Sequence, residues 1–311
     1  MVRGTNVSHY LITTTKRKRG FIKMAGPNFT ELQMKVTSDF ALQTLYARLA
    51  PIKDFAHNFR DLEDRKGASI VIPVFNLSAA ADFDADTNNY CAGDTEVDAA
   101  TVTLSSHLIK QLMYTDRDVA ETEVQWFRDG GYAVGDAIGR GIYSTVIGLL
   151  NDTNVTLSAE SDLSAKTDFA GLVDTTYAKG LDIGQTSLLL SPTYFANLLG
   201  TLDAYVYGGP EAIRSGYVPG LYGFKSVVCA PGLAEGWKGA LVDVNSIGIA
   251  SRYLAPMAGA YVDAWKAADP NSGLTIGFRS FANLCTGRRY LDAEVLFGAK
   301  IIRPEGIVKI A

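Results

Sequence analysis

Residues Thr115 to Asn151, TDRDVAETEVQWFRDGGYAVGDAIGRGIYSTVIGLLN, constrain this chain more than any other stretch. Val119, Glu123, Trp126, Val134, Ile138, Ile142, Val146 and Leu149 recur mostly at steps of three and four, the spacing of a helix with one buried stripe. Thr115 or Asp116 is placed to cap its start, and Asp118 and Glu121 put negative charge where the helix dipole favours it. Roughly thirty-five helical residues would reach about 50 Å. That exceeds the width of a compact domain of this size and predicts an elongated subunit. Gly130, Gly131, Gly135, Gly139 and Gly141 fall inside the stretch, each costing up to about 1 kcal/mol in a helix interior. Gly131, Gly135 and Gly139 share one face, which would let a second backbone approach closely. The stretch reads as a structural spine, not as a pocket.

The same GxxxG spacing occurs in membrane helix pairs, but Asp136 and Arg140 sit inside it, and no window of about eighteen apolar residues exists in the chain. No membrane partner is expected. With 311 residues, 47% hydrophobic and 20% charged, the chain is able to bury one large core or two smaller ones. The net charge of −4 is unevenly spread. No acid precedes Glu31, whereas Arg3, Lys16, Arg17, Lys18, Arg19 and Lys23 are basic; without those six, 23 basic face 33 acidic residues, or −10. An acidic body with a basic arm results. Lys16, Arg17, Lys18, Arg19 and Lys23 read either as a contact to nucleic acid or an inner face, or as a solvated terminus preceding a start at Met24. Cys91, Cys229 and Cys285 are odd in number and without CxxC spacing, which points to a reducing compartment. No secretory signal is legible.

Along the chain, residues 1–28 read as a flexible arm. Leu32, Val36, Phe40, Leu45 and Leu49 give an amphipathic helix from Phe29 to Leu49, stopped by Pro51. GASIVIPVF and TVTLSSHLIKQLMY read as two strands, the second with Val102, Leu104, Leu108, Leu112 and Tyr114 on one side. The small, acidic insert between them makes an extended hairpin, which alone in water is marginal and needs something to lie against. After the spine, NDTNVTLSAESDLSAKTD reads as a polar linker. DFAGLVDTTYAKG suits a helix ending at Gly180, and TSLLLSPTYFANLLG a buried strand, Ser191 cap, Pro192 start and helix. GGPEAIRSGYVPGLYGF is a Gly- and Tyr-rich loop. KSVVCAP and GALVDV are short strands, NSIGIASRYL a brief helix, and LTIGFRSFANL and AEVLFGAKIIRPEGIVKI two or three closing strands. The class is α+β, with a strand-rich platform beside the spine helix.

Enzyme constellations are short of parts. His9, His57 and His107 are the only histidines, with no HExxH and no suitable GxSxG elbow. His107 falls on the more polar side of its strand, where a solvent or interface role is expected. No GxxxxGK[ST] or strand-following GxGxxG occurs, and GDAIGRG lies mid-helix, where the amides are already bonded. Asp82, Asp84, Asp86 and Asn88 open like a calcium loop, but Thr87 and Gly93 stand where it needs Gly and Glu. No catalytic residue, metal or cofactor is expected.

Taken together, KGASIVIPVF with the acidic stretch and DAATVTLSSHLIKQLMYTDRDVAET resembles the E-loop feeding the spine helix of the major capsid proteins of tailed bacteriophages. Those proteins have the Hong Kong 97 fold, shared with encapsulins. TSLLLSPTYFANLL, SGYVPGLYGFKSVVCAP and GALVDVNSIGIASR resemble its A-domain, and GAKIIRPEGIVKI its closing P-domain strand. The resemblance runs from about Phe29 to the C-terminus and rests on the order of segments. It implies a basic arm (1–28), an N-terminal helix and linker (29–66), an E-loop hairpin (67–114), a spine (115–160), an A-domain (161–255) and a return to the P-domain (256–311). It also implies homo-pentamers and homo-hexamers in an icosahedral virion shell around double-stranded DNA, assembled in the host cytoplasm. Asp82, Asp84, Asp86, Tyr90, Tyr205, Tyr207, Arg214 and Tyr217 are then candidate assembly-interface residues. Some relatives crosslink an E-loop lysine to a neighbour's asparagine; with no lysine between Lys66 and Lys110, no such mesh is expected here. The region before Phe29 is too short for the scaffolding segment of some relatives, so a separate scaffolding protein and a portal are the expected partners. An encapsulin-like shell holding cargo enzymes is the alternative. A soluble enzyme or ligand-binding protein using the loop around Arg214 is the third reading.

Overall fold

The computed structural model describes residues 29–59, 69–75, 97–115, 117–118, 124–151, 155, 157–201, 217–257, 263–269, 272–283 and 285–311. The first helix, α1 (Phe29–Leu49), has the bounds its apolar spacing predicts, and a single turn, α2 (Ile52–Phe55), follows Pro51. The spine is α3 (Val124–Leu150), 27 residues or about 40 Å. Thr115 ends a strand and also caps: its Oγ1 accepts from the Asp118 amide at 3.2 Å, and its own amide donates to the Asp118 carboxylate at 2.8 Å. The Thr115 amide, and its hydroxyl donating at 2.8 Å, hold the Asp118 carboxyl below its usual range. Val119, Glu121 and Glu123 lie outside the described residues, so the helix is traced from Val124 and not from Thr115.

α3 lies in the angle between α1 and a platform sheet, and its glycines face both. A Cβ on Gly135 would meet the Ala41 carbonyl oxygen at 2.1 Å, and one on Gly131 the Thr37 oxygen at 2.5 Å. On another side, Gly130 and Gly141 receive Leu112 and Leu108 of the platform. Val134, Ile138, Ile142 and Val146 are buried in the wedge with Ala41, Leu45 and Leu49 of α1. Asp136 fastens the crossing by accepting from Arg48 of α1 and from Arg140, both at 2.7 Å. These groups are partly exposed, so such pairs contribute about 1 kcal/mol or less.

The platform sheet runs β1 (His57–Asn58), β10 (Ile247–Arg252), β13 (Arg288–Ile301), β12 (Thr275–Asn283) and β11 (Asp263–Ala268). β4 (Ser106–Thr115) pairs along the other side of β13, from Phe297 opposite Ser106 to Arg288 opposite Thr115. One long strand thus carries β12 and β10 end to end on one edge and β4 on the other. The second sheet runs β5 (Leu157–Ala159), β14 (Ile307–Ile310), β9 (Gly239–Asp243), β6 (Thr186–Leu190), β8 (Ser226–Cys229) and β7 (Tyr217–Pro219). Its one face, with Leu189, Val228, Ala240, Val242 and Ile307, joins the core of α3. Its other face, with Leu188, Leu190, Val227, Leu241 and Ile310, is covered by α4 (Lys166–Ala178) and α5 (Pro192–Thr201). Tyr143 donates to the Cys229 carbonyl at 2.9 Å, and Asn151 accepts from the Ala234 amide at 2.8 Å, fixing the end of α3 to this sheet.

Several expectations are corrected. TVTLSSHLIKQLMY is not one strand of a hairpin: among the described residues β2 (Ser69–Phe75) pairs only with β3 (Val97–Thr103), and β4 belongs to the platform. Alternation continues through the break, because Leu104, Leu108 and Leu112 all face apolar surface, so the pattern does not reveal the change of partner. NSIGIASRYL holds a strand, β10, not a helix: Ile247 to Ser251 are all buried between β1 and β13, and β-branched residues suit that place. The polar linker after the spine contains β5, parallel to β14. The closing strand β14 pairs with β9 in the second sheet rather than in the platform, and β10 lies in the platform rather than with the segments preceding it.

Substituting Gly135 by Leu is expected to cost about 1–3 kcal/mol or more by overpacking, since the obstacle is backbone. A side chain added at Gly148 would meet nothing within 4 Å of its Cβ, so Gly148→Ala is expected to stabilise by about 1 kcal/mol. Urea unfolding of both variants checks the pair; equal effects would refute this helix crossing.

Candidate assembly surfaces

The β2–β3 ribbon buries Ile70, Ile72 and Val102, with Leu104 just beyond, against Ala250, flanked by Phe59, Leu296 and Ile302. Its opposite face is also apolar but uncovered: Val71 is 57% exposed and Val97 54%. Between them Pro73 stands opposite Ala99, and Thr101 opposite Val71. The ribbon is anchored where Thr103 passes Gly298; a Cβ on Gly298 would lie 2.1 Å from the Thr103 carbonyl oxygen. On the platform, Ile109 and Met113 of β4 are exposed at 56% and 43%. Exposed β-branched residues on a narrow two-stranded ribbon leave apolar surface in water, which is unfavourable for an isolated ribbon.

The platform face that carries Ile109 also holds a buried charge cluster. Glu294 of β13 is 5% exposed, paired with Arg279 of β12, and lies 3.3 Å from His107 Nε2 of β4. Arg279 also donates to the Leu254 carbonyl at 3.0 Å. Tyr253 lies over Gly277, whose missing side chain makes the space for its ring. Burial pushes the neighbouring Asp292 carboxyl up, opposed by its hydrogen bond to Gln111 and by Arg279. Burial also pushes the Tyr114 hydroxyl up to about 12. His107, expected at solvent or an interface, is half-exposed but meets Glu294, a partner 187 residues away. Arg279 and Glu294, charges inside otherwise apolar strands, were the sequence signal that could have found this cluster.

The sequence-derived interface residues fall mostly outside the described residues: Asp82, Asp84, Asp86 and Tyr90, then Tyr205, Tyr207 and Arg214, and Lys16, Arg17, Lys18, Arg19 and Lys23. Tyr217 is placed by its backbone, paired with Val228 at the edge of the second sheet. Among the described residues no group of three or more His, Cys, Asp or Glu could hold a metal ion, and no helix is long and apolar enough to cross a membrane.

No family model matches the chain, and no curated protein matches it. Solved structures do. The virus-like particle from Pyrococcus furiosus superposes with a TM-score of 0.52 at 12% identity, covering 89% of this chain and 98% of that one. The capsid of an empty GTA particle gives 0.50 at 15% identity, covering 85% and 89%. The capsid of cyanophage P-SCSP1u gives 0.47 at 14%, covering 79% and 83%. The likeness to the first two defines the class: this is a capsid-protein fold, of the Hong Kong 97 type, with its long helix, its platform and a second α/β layer.

Removing one member of the buried pair should be worse than removing both. Arg279→Ala is expected to cost about 3–5 kcal/mol by stranding the Glu294 carboxylate, and Arg279→Met with Glu294→Leu distinctly less. Chemical denaturation of the two variants decides this.

Proposed function

We propose that this chain is a major capsid protein whose copies assemble as pentamers and hexamers into an icosahedral head enclosing double-stranded DNA. The observation that carries this reading is a capsid-type fold joined to a ribbon whose outward face, Val71 to Val97, is apolar and uncovered. A shell built from many such contacts gains stability by multivalency, so each contact needs only modest affinity. An acidic body limits adhesion to packaged DNA, and the basic residues up to Lys23 supply weak, sequence-independent phosphate contacts. A separate scaffolding protein and a portal complete the assembly. In this reading the Gly/Tyr loop, with Tyr205, Tyr207, Arg214 and Tyr217, supplies contacts around the five- and sixfold axes, so Arg214→Ala is expected to impair capsomer formation, as native gel electrophoresis of the variant would show.

One observation favours a second reading, a compartment shell holding cargo enzymes. A groove of about 950 Å³ runs between α1, α3 and α5, walled by Pro51, Tyr143, Phe195 and Leu199 and rimmed by Arg48 and Arg140. Its shape and apolar walls suit an extended peptide. Particles that carry a protein cargo and no DNA would favour this reading over the first.

Light scattering and negative-stain microscopy of the chain, produced alone and with its neighbouring genes, are expected to show round particles of tens of nanometres or discrete pentamers and hexamers. A monodisperse monomer or dimer under every condition refutes the proposal. Deleting residues 78–94 is expected to leave a folded subunit that no longer closes into shells. On a denaturing reducing gel, mature shells are expected to run as single chains without a crosslinked ladder.

A further inference from the structure

We propose that the groove between α1, α3 and α5 binds a single-chain amphiphile with a monoanionic head, a long-chain carboxylate, whose head is held by Arg48 and Arg140 and whose tail lies along the apolar walls. The groove is formed within one copy of the chain, so binding there is independent of self-assembly.

Close helix packing brings the two arginines together. Gly139 of α3 passes α1 at Arg48, where an added Cβ would lie 3.0 Å from the Arg48 Cβ, so the Arg48 stem rests on α3. Asp136 and Arg140, one turn apart on α3, meet it there, and Tyr143 follows on the same helix and lines the groove. Phe195 and Leu199, also one turn apart, line it from α5. The volume of about 950 Å³ falls at the upper end of the roughly 300–1,000 Å³ of ligand sites. A groove sunk between three helices takes a molecule from solution, not the flat face of a bilayer.

The polar side chains of the lining leave one kind of head group to be recognised. The hydroxyls are already bonded within the chain: Thr44 donates to the Phe40 carbonyl at 3.1 Å, Ser144 to that of Gly141 at 3.0 Å, and Tyr143 to that of Cys229 at 2.9 Å. Burial pushes the Cys229 thiol up, so it stays uncharged at neutral pH. What remains is charge. Arg48 and Arg140 both reach Asp136 through Nε at 2.7 Å, and among the described residues neither guanidinium meets a second acid.

Two guanidinium groups facing one carboxylate leave an excess of one positive charge, which a monoanion cancels and a dianionic phosphate monoester exceeds. Each planar guanidinium has terminal N–H groups beyond its Nε, in a fork that matches carboxylate oxygens. The two arginine side chains are 51% and 70% exposed, so their attraction for a head group is screened by water and selects more than it holds. Affinity comes mainly from the tail, whose methylenes leave water for the surfaces of Pro51, Phe195 and Leu199.

The test uses the purified full chain and dodecanoate below its micelle-forming concentration, followed by isothermal titration calorimetry and by the melting temperature. One saturable site per chain is expected, with a rise in melting temperature of about 3 °C or more at saturation. Dodecan-1-ol and dodecylammonium are expected to bind at least about tenfold more weakly. Arg48→Gln with Arg140→Gln should lower dodecanoate affinity about tenfold and leave that of dodecan-1-ol unchanged. Arg48→Glu with Arg140→Glu should turn the preference toward dodecylammonium. Ala196 is exposed and lines the groove, so Ala196→Trp fills it without entering the core and should abolish binding of acid and alcohol alike. Circular dichroism checks that each variant is folded. A folded chain with no saturable dodecanoate site overturns the proposal, as does binding that is equal for acid and alcohol or unchanged in the charge-altered variants. Dodecanoate that fails to bind, while Ala196→Trp releases a protein that co-purifies with the unaltered chain, would make the groove a peptide site, and the proposal fails too. None of these results bears on whether the chain assembles, which light scattering reads separately.

Discussion

The close backbone approach between α1 and α3 sets the rest of this fold. At Gly131 and Gly135 the α3 backbone comes within the space that a single Cβ would fill, against the carbonyls of Thr37 and Ala41. Six glycines in one helix oppose its formation by up to about 1 kcal/mol each, so the helix persists because its packing outweighs its propensity. The gain is dense burial: Val134, Ile138, Ile142 and Val146 meet α1 on one flank and the platform on another, with few atoms between. A larger residue at Gly130 or Gly141 would lift the helix off Leu112 and Leu108, and with it the whole platform.

From that wedge the two sheets follow as one body. Ile147 and Leu150 at the end of α3 share a core with Leu189, Val228 and Val242 of the second sheet, and with Ile249, Phe278 and Phe297 of the platform. The spine helix is thus the common floor of both sheets, and β13 with its fourteen residues is the common edge of β4, β10 and β12. Charge is admitted only where it is compensated. Glu294 is buried between Arg279 and His107, on the platform face turned away from α3. Desolvating such a cluster adds little net stability, but it fixes which strands lie side by side, because a shifted register would leave Glu294 buried without Arg279.

The fold was legible where local chemistry decides it. α1 has the bounds set by its spacing and Pro51, and TSLLLSPTYFANLLG folds as β6 followed by α5 beginning at Pro192. The helix before Gly180 ends as expected, with that residue at φ 76 where a side chain is disfavoured. Strand partnership was not legible. Val102, Leu104, Leu108, Leu112 and Tyr114 keep one side of the stretch largely apolar, yet β3 pairs with β2 just upstream and β4 with β13 near the end of the chain, and nothing in a period of two names the partner. The same limit applies to β10, whose Gly, Ser and Ala resemble a loop or short helix until two flanking strands bury them. The expected interface residues lie in the acidic stretch, the Gly/Tyr loop and the basic arm, of which only the Tyr217 backbone is described. The Arg279–Glu294 pair was readable as a charge in an apolar strand, but its meaning depends on a register that sequence alone does not fix.

What distinguishes this subunit from a self-sufficient domain is where its apolar surface remains. Val71, Val97, Ile109 and Met113 are exposed not in a concave site but along a ribbon and the edge strand beside its root. A soluble monomer ordinarily blunts such edges with charge or covers them; on β4 exposed Ile109 and Met113 flank exposed Lys110 and Gln111, and Arg117 and Arg288 stand exposed at its end. Apolar area supplies most of the favourable free energy of an association, and charge at its ends fixes the register and excludes wrong alignments.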